Sequence, residues 1–236
     1  MVNLPVALHI PDGFLSNGVV AVLWVAAIAA LAVGLRVANR DLDEARVPLL
    51  GVLAAFIFAV QMLNFPVAGG TSGHLLGATL AAVLLGPWIA CLVMAVVITT
   101  QALGFADGGV SALGANIVNM GVLGALLAGY LMRAGQHVLP KTEGAFLALV
   151  GGVAWLSVMV AAAATSMQLA ISGTVPLGTV LPAMLGVHAL IGIGESVITV
   201  AAVSAVLASR PDLIALATFD RPRATPQAPA AAGSMS

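Results

Sequence analysis

The stretch Gly69-Gly70-Thr71-Ser72-Gly73-His74 is a polar, glycine-rich break inside sixty residues, Val47 to Ala106, that contain no Asp, Glu, Lys or Arg. His74 is the only histidine of this uncharged region. Irregular backbone is tolerated at membrane depth only where protein buries it or where it lines a polar cavity. We therefore expect the break to fold inward and form a site around His74.

The composition indicates an integral membrane protein. The 236 residues are 61% hydrophobic and 7% charged, whereas about 25% of residues are charged in ordinary soluble domains. Several uncharged stretches exceed the roughly 20 residues that a helix needs to cross a bilayer, and they lack the alternation of membrane β-strands. We predict an all-α, polytopic helix bundle. The net charge of -1 gives no indication of nucleic-acid binding, and the single Cys91 excludes an internal disulfide and a cysteine-based metal cluster.

The positions of the basic residues predict the topology, because cytoplasmic loops are enriched in Lys and Arg. If Gly86-Pro87 is a turn, seven helices cross the membrane and all eight Lys and Arg residues lie on the cytoplasmic side. One long helix from Leu75 to Gly104 would instead place Arg133 outside. We therefore predict about seven transmembrane helices, with the N-terminus outside and the C-terminus cytoplasmic. This arrangement brings His9 and His74 to the same outer face.

We predict one membrane-embedded, metal-binding transporter domain over residues 1–209. The first 13 residues carry no Lys or Arg and no long apolar core, so they are expected to form an extracellular lead-in rather than a secretory signal. From Arg210 the composition changes to Pro, Ala, Thr, Ser and Gly. Residues 210–236 are therefore predicted to be a disordered cytoplasmic tail.

His9 and His74 are the best candidates for metal ligands. Neutral imidazole binds Co, Ni, Cu and Zn, and the absence of usable thiolates favours ions that prefer nitrogen. Either histidine alone is more typical of a hydrogen-bonded structural residue. Together, on one predicted face and each beside backbone shaped by Gly or Pro, they predict a metal site.

Four further residues are candidates for supporting these ligands or bracing the bundle. His188 and Glu195 are seven residues apart and share one helix face; a hydrogen bond between them that braces the bundle is the preferred interpretation, and a proton-coupled or metal-relay role is the alternative. Asn116 either braces its own helix or orients a ligand histidine, and both interpretations stay open. Thr71 lies within the polar break itself.

Three more polar residues are expected to serve the fold. Asp12 and Asp107 are interpreted as cap or loop residues rather than ligands, and Gln101 as the donor or acceptor of an interhelical hydrogen bond. The sequence contains no His-Glu-x-x-His zinc motif, no Gly-x-Ser-x-Gly elbow and no glycine loop for a nucleotide. We therefore expect no enzymatic activity and no resident cofactor.

Five separated motifs carry a family resemblance. They are His9-Ile10-Pro11-Asp12-Gly13-Phe14-Leu15, Gly70-Thr71-Ser72-Gly73-His74-Leu75-Leu76-Gly77, Gln101-Ala102-Leu103-Gly104-Phe105-Ala106-Asp107-Gly108-Gly109, Gly114-Ala115-Asn116-Ile117-Val118-Asn119-Met120 and His188-Ala189-Leu190-Ile191-Gly192-Ile193-Gly194-Glu195. With these motifs the chain resembles the CbiM/NikM family, the substrate-binding membrane components of energy-coupling factor transporters for cobalt and nickel. The resemblance runs from His9 to about Arg210.

The resemblance implies capture of Co(II) or Ni(II) at an outward-facing, all-nitrogen site and delivery to the cytosol for cobalamin or nickel-enzyme assembly. It implies a bacterial inner-membrane location and an N-terminal segment that dips into the bundle to meet His74. It also implies three kinds of partner: a coupling transmembrane protein, cytoplasmic ATPase subunits and a small accessory membrane protein. The alternative is a self-sufficient secondary carrier, which should show inverted repeats and intramembrane carboxylates, and only Glu195 is available.

The N-terminus departs from the family pattern. In the family, the histidine corresponding to His9 usually stands second, and its ring, its backbone nitrogen and the terminal amine bind the metal together with the downstream histidine. In this sequence seven residues precede Leu8-His9. We hypothesise that Leu8 is the translation start, so that the mature chain begins Met-His-Ile-Pro-Asp-Gly. Sequencing the N-terminus of the native protein distinguishes this start from Met1.

Overall fold

A bundle of helices makes up the protein in the computed structural model, which describes residues 9–62, 65–67 and 71–219, with the backbone alone for 65–67 and 71–72. The α-helices of this described chain are α1 (Asn17–Asp41), α2 (Val47–Gln61), α3 (Ala78–Leu85), α4 (Pro87–Phe105), α5 (Leu113–Asn116), α6 (Leu127–Val138), α7 (Glu143–Ile171) and α8 (Leu177–Ser209). Strands β1 (Phe65–Val67) and β2 (Thr71–Gly73) pair antiparallel. The predicted all-α bundle is therefore confirmed, with one short hairpin added.

Six helices of the described chain are long and apolar enough to cross a membrane. They are α1, the helical stretch Glu44–Gln61, α4, the continuous helix Leu113–Val138, α7 and α8. Helices that are apolar around their whole circumference are stable only where lipid or other helices surround them. The protein is therefore a multi-pass membrane protein.

The turn that separates α3 from α4 is formed by Gly86 and Pro87. Gly86 ends α3, and Pro87 is the first residue of α4, a position where its missing N–H group removes no helical hydrogen bond. The predicted turn is confirmed, and a single helix from Leu75 to Gly104 is excluded.

Helix α3 is short and lies inside the bundle. Its eight residues are all buried and rise only about 12 Å. It packs against α4, α6, α7 and α8, and a segment without regular secondary structure, residues 74–77, leads into it from β2. Because α3 is too short to cross a membrane by itself, the count of seven crossings and the orientation of the termini stay predictions.

A π-helical stretch, Ile117–Leu126, joins α5 to α6. Within it, Asn119 Nδ2 donates to Gln168 Oε1 at 2.9 Å, and Gln168 Nε2 donates to Asn119 Oδ1 at 2.6 Å. Asn119 Nδ2 also lies 3.1 Å from Thr165 Oγ1. These bonds attach the π-helical stretch to α7. They also give the buried side-chain amide of Asn119 partners for both its nitrogen and its oxygen.

The chain after α8 folds back over the bundle as a C-terminal strap, residues 211–219. The backbone N–H groups of Ala215 and Leu216 donate to the carbonyl groups of Leu84 and Val83, at 3.3 Å and 3.2 Å. These are carbonyls of the last turn of α3, which a helix leaves unpaired. The prediction of a disordered tail from Arg210 onward is therefore wrong for residues 211–219, and residues 220–236 lie outside the described chain.

Candidate metal site

The structure brings His9 and His74 together although 65 positions separate them in the sequence. Both side chains are buried, each with 1% of its surface exposed. The centroids of their rings are 4.5 Å apart, and the ring planes are tilted by 44°. Two imidazoles this close, in an apolar interior, supply two nitrogen donors to one small volume.

His74 presents an unpaired ring nitrogen. Its Nδ1 lies 2.8 Å from the carbonyl oxygen of Leu75. Because a carbonyl group can only accept, Nδ1 carries the proton and Nε2 carries the lone pair of the neutral ring. That Nε2 is buried and has no hydrogen-bond partner among the described residues. A buried acceptor without a partner is unfavourable, and a bound metal ion would remove this cost.

Glu195 and Gln61 hold the segment that carries His74. Glu195 Oε2 accepts the Leu76 N–H group at 2.8 Å, and Oε1 accepts that of Gly77 at 2.7 Å. Gln61 Nε2 donates to the Leu76 carbonyl oxygen at 2.7 Å. Both side chains are buried. The carboxyl group thus pairs the N–H groups of the two residues that lead into α3, beside the helix end where the dipole favours negative charge.

The predicted hydrogen bond between His188 and Glu195 is wrong. His188 Nδ1 bonds instead to the carbonyl oxygen of Met184, at 2.7 Å, and its Nε2 has no hydrogen-bond partner in the residues that the structure describes. Seven residues do place both side chains on one face of α8, but they separate them by about 10 Å along the helix axis. Glu195 braces the bundle through the backbone of residues 76 and 77.

Asn116 fixes the lead-in next to His9. Its Oδ1 accepts the N–H group of Ile10 at 2.8 Å, and its Nδ2 donates to the Ile10 carbonyl oxygen at 3.2 Å. The N–H group of Gly109 donates to the same carbonyl oxygen at 2.9 Å. Asn116 therefore contacts the backbone beside the histidine, and these bonds hold the His9 ring within the bundle.

Asp12 fastens the lead-in to the loop before α5. Its Oδ2 accepts the N–H group of Val110 at 3.1 Å, and its Oδ1 accepts that of Ser111 at 2.7 Å. The Ser111 hydroxyl group also donates to it, and this bond holds the pKa of Asp12 below its ordinary value. A Cβ atom on Gly109 would lie 2.3 Å from the Asp12 backbone nitrogen, so only glycine permits this approach. The interpretation of Asp12 as a loop residue agrees with these bonds.

Asp107 lies closer to the site than its interpretation as a loop residue implied. Its Oδ1 is 3.1 Å from His9 Nδ1. A carboxylate beside a ligating imidazole orients the ring and raises its basicity. The sequence contained one signal for this position: Asp107 is the first charged residue after the sixty uncharged residues 47–106.

Two other expectations have different outcomes. Neither amide atom of Gln101 has a partner in the part of the chain that the structure describes, so the predicted interhelical hydrogen bond is wrong. The side chain of Thr71, and the whole of Gly69 and Gly70, lie outside the described residues. Over those described ranges, no group of three or more His, Cys, Asp or Glu side chains is arranged to hold a metal ion. His9 and His74 are therefore a partial ligand set.

Residues 9–213 match the family model of CbiM, described as the cobalt uptake substrate-specific transmembrane region. The chain belongs to the CbiM family. The matched segment begins at His9 and extends into the C-terminal strap, so it includes both histidines and every helix of the bundle.

Known relatives carry names of cobalt and nickel transport proteins. A putative fused nickel transport protein NikMN of Archaeoglobus fulgidus is 40% identical over 210 residues, which are 88% of this chain and 68% of that protein. The cobalt transport protein CbiM of Sorangium cellulosum is 32% identical over 218 residues, 88% of this chain and 94% of that protein. A crystal structure of a transition metal transporter superposes with a TM-score of 0.77 at 32% identity, covering 85% of this chain and 92% of that one.

Proposed function

We propose that this CbiM-family cobalt/nickel transport protein is the capture component of an energy-coupling factor importer. It binds Co(II) or Ni(II) from outside at a nitrogen site that contains His9 and His74, and it delivers the ion to the cytosol for cobalamin or nickel-enzyme assembly. The observation that carries the proposal is the pair of buried imidazoles in ring contact, whose Nε2 atoms have no hydrogen-bond partner within the described chain.

The remaining ligands are proposed to come from the chain that precedes His9. If the mature protein begins at Leu8, its terminal amine and the His9 backbone nitrogen lie within chelating distance of the His9 ring. Fused chelate rings of nitrogen atoms favour the square-planar geometry of Ni(II) and can adapt to Co(II). This ligand set also explains why the described side chains include only two donors at the site.

The energy for transport is proposed to come from partner subunits: a coupling transmembrane protein, cytoplasmic ATPase subunits and a small accessory membrane protein. The sequence carries no glycine loop for a nucleotide. A secondary carrier would need a carboxyl group free to bind a coupling ion within its helices. Glu195 in α8 is already bonded to two backbone N–H groups, which disfavours that alternative.

Metal binding by the purified chain tests the proposal. We expect wild-type protein to bind one Co(II) or Ni(II) ion, and His74→Ala to lower the affinity by more than about 100-fold, beyond the 10–100-fold typical of residues that only orient a ligand. Calorimetry and metal analysis give the affinity and the stoichiometry. His137→Ala, an exposed histidine on α6, is the matched control. Stoichiometric metal retained by His74→Ala would refute the site.

A further inference from the structure

A third buried imidazole, that of His188 on α8, has the same bonding pattern as His74. It is 1% exposed. Its Nδ1 is 2.7 Å from the Met184 carbonyl oxygen, so Nδ1 carries the proton and Nε2 carries the lone pair. Nε2 is buried and has no hydrogen-bond partner over the described ranges of the chain. Histidines that bind metals typically show this division, with one ring nitrogen bonded to a protein acceptor and the other free.

The free nitrogen of His188 faces the backbone immediately before His74. A Cβ atom on Gly73 would lie 3.6 Å from His188 Nε2 and only 2.1 Å from Ile191 Cδ1. Any side chain at position 73 would therefore separate β2 from α8. The glycine allows the His188 ring to approach the segment that carries His74.

These observations place two nitrogen atoms with the same protonation pattern beside one glycine: His74 follows Gly73 in the chain, and His188 Nε2 faces it. Both Nε2 atoms are buried and have no partner in the part of the chain that the structure describes, and both rings already donate from Nδ1. An ion can therefore bind to either ring without displacing a proton. The described side chains form no cage of three ligating groups, so His188 is not part of a preformed site together with His9 and His74.

We propose that His188 and His74 form a second, transient metal-binding site, which receives the ion from the capture site. In the transfer a bond forms between the ion and His188 Nε2, and the bonds to the His9 ring, the His9 backbone nitrogen and the terminal amine break. The backbone nitrogen, which binds a metal as a deprotonated amide, takes a proton back from water. His74 stays bound throughout, so the ion keeps a protein ligand, and no electron moves. This proposal rests on the proposed function, because it needs His9 and His74 as the first ligands.

A site of two imidazoles suits a transfer step. An ion held by two imidazoles is bound more weakly than one held by a chelating N-terminus. Transport requires sites that bind strongly enough to admit an ion and weakly enough to release it.

The test removes the first site and asks whether the second still binds. His9→Ala protein is titrated with Co(II) alone, and its affinity is compared with that of the double variant His9→Ala/His188→Gln. We expect the single variant to keep weak binding of one ion and the double variant to bind at least about tenfold more weakly, which corresponds to about 1.4 kcal/mol. His9→Ala/His137→Gln is the matched control, because His137 is exposed on α6.

X-ray absorption of Co(II)-loaded His9→Ala protein counts the imidazole ligands without altering His188. Two imidazoles support the second site, and one overturns it. Equal affinity of the single and double variants, or no binding by the His9→Ala protein, also overturns it. The proposed function fails separately, through wild-type protein that binds no metal or a His74→Ala protein that binds normally.

Discussion

The two ends of helix α3 are completed in different ways. Just before its first residue, Glu195 pairs the N–H groups of Leu76 and Gly77, but the imidazoles beside this end have nitrogen atoms without a partner among the described residues. At its last turn the strap supplies N–H groups to two α3 carbonyls. One end is therefore closed by protein hydrogen bonds, and the other leaves donors free for a ligand.

Gln136 on α6 fastens the strap. Its Nε2 donates to the Leu216 carbonyl oxygen at 2.7 Å, and its Oε1 accepts from the Thr218 N–H group at 3.1 Å and from the Thr218 hydroxyl group at 2.7 Å. Ile214 and Leu216 of the strap are buried. Metal affinity and stability should therefore be separable. Changes at the strap should alter stability alone, whereas changes to the hydrogen bonds of residues 76 and 77 should alter both.

The largest effect is expected from Glu195→Ala. Removing the carboxyl group leaves two buried N–H groups without acceptors, which should lower the free energy of unfolding by about 2–5 kcal/mol. Because the same segment carries His74, Co(II) affinity should fall too. Unfolding in mixed micelles measures the first quantity and calorimetry the second.

The exposed Glu44 provides the control for this variant, since Glu44→Ala should change stability by less than about 0.5 kcal/mol. Glu195→Gln should fall between wild type and Glu195→Ala, because its amide keeps one acceptor oxygen. A Glu195→Ala protein as stable as wild type would show that α3 does not depend on this cap.

A smaller effect is expected from Gln136→Ala. The variant removes the side-chain bonds of the strap and should lower the free energy of unfolding by about 1–2 kcal/mol, with unchanged Co(II) affinity. The same unfolding and calorimetry experiments apply. Arg210→Ala is the control, because its ion pair with Asp212 is exposed and should contribute nothing measurable. Reduced Co(II) affinity in Gln136→Ala would contradict the expectation that the two ends of α3 affect metal binding and stability separately.

The smallest effect is expected from the protonation of Asp12 at low pH, which weakens its hydrogen bonds to the loop. Because its folded-state pKa lies below the ordinary value of 3.8, its bonds to the loop stabilise the lead-in above that value and are lost as the pH falls through the folded-state pKa. Hydrogen exchange of residues 109–111, corrected for intrinsic rates, should therefore be constant down to about pH 5 and accelerate below 3.8. Asp12→Asn should show weakened protection already at neutral pH. Equal protection in both proteins would contradict this role.

Local patterns were enough to predict some features of the site. The turn at Gly86-Pro87 follows from backbone chemistry, and the loop role of Asp12 follows from its position beside Pro11 and Gly13. The pairing of His9 with His74 followed from their placement on one face. The partner of Glu195 was not predictable, because 119 positions separate it from Leu76 and helical periodicity reports only the face of a residue.

The sequence by itself determined that this chain is a membrane helix bundle with histidines near one face, because hydropathy and helix breakers act locally and need no knowledge of neighbours. Only the tertiary structure decided what those polar groups meet. Glu195 caps α3 instead of bonding to His188, Asp107 approaches His9, and the strap closes the last turn of α3. Each of these contacts joins distant segments, and a buried polar group bonds to whichever partner the packing of the helices brings within reach.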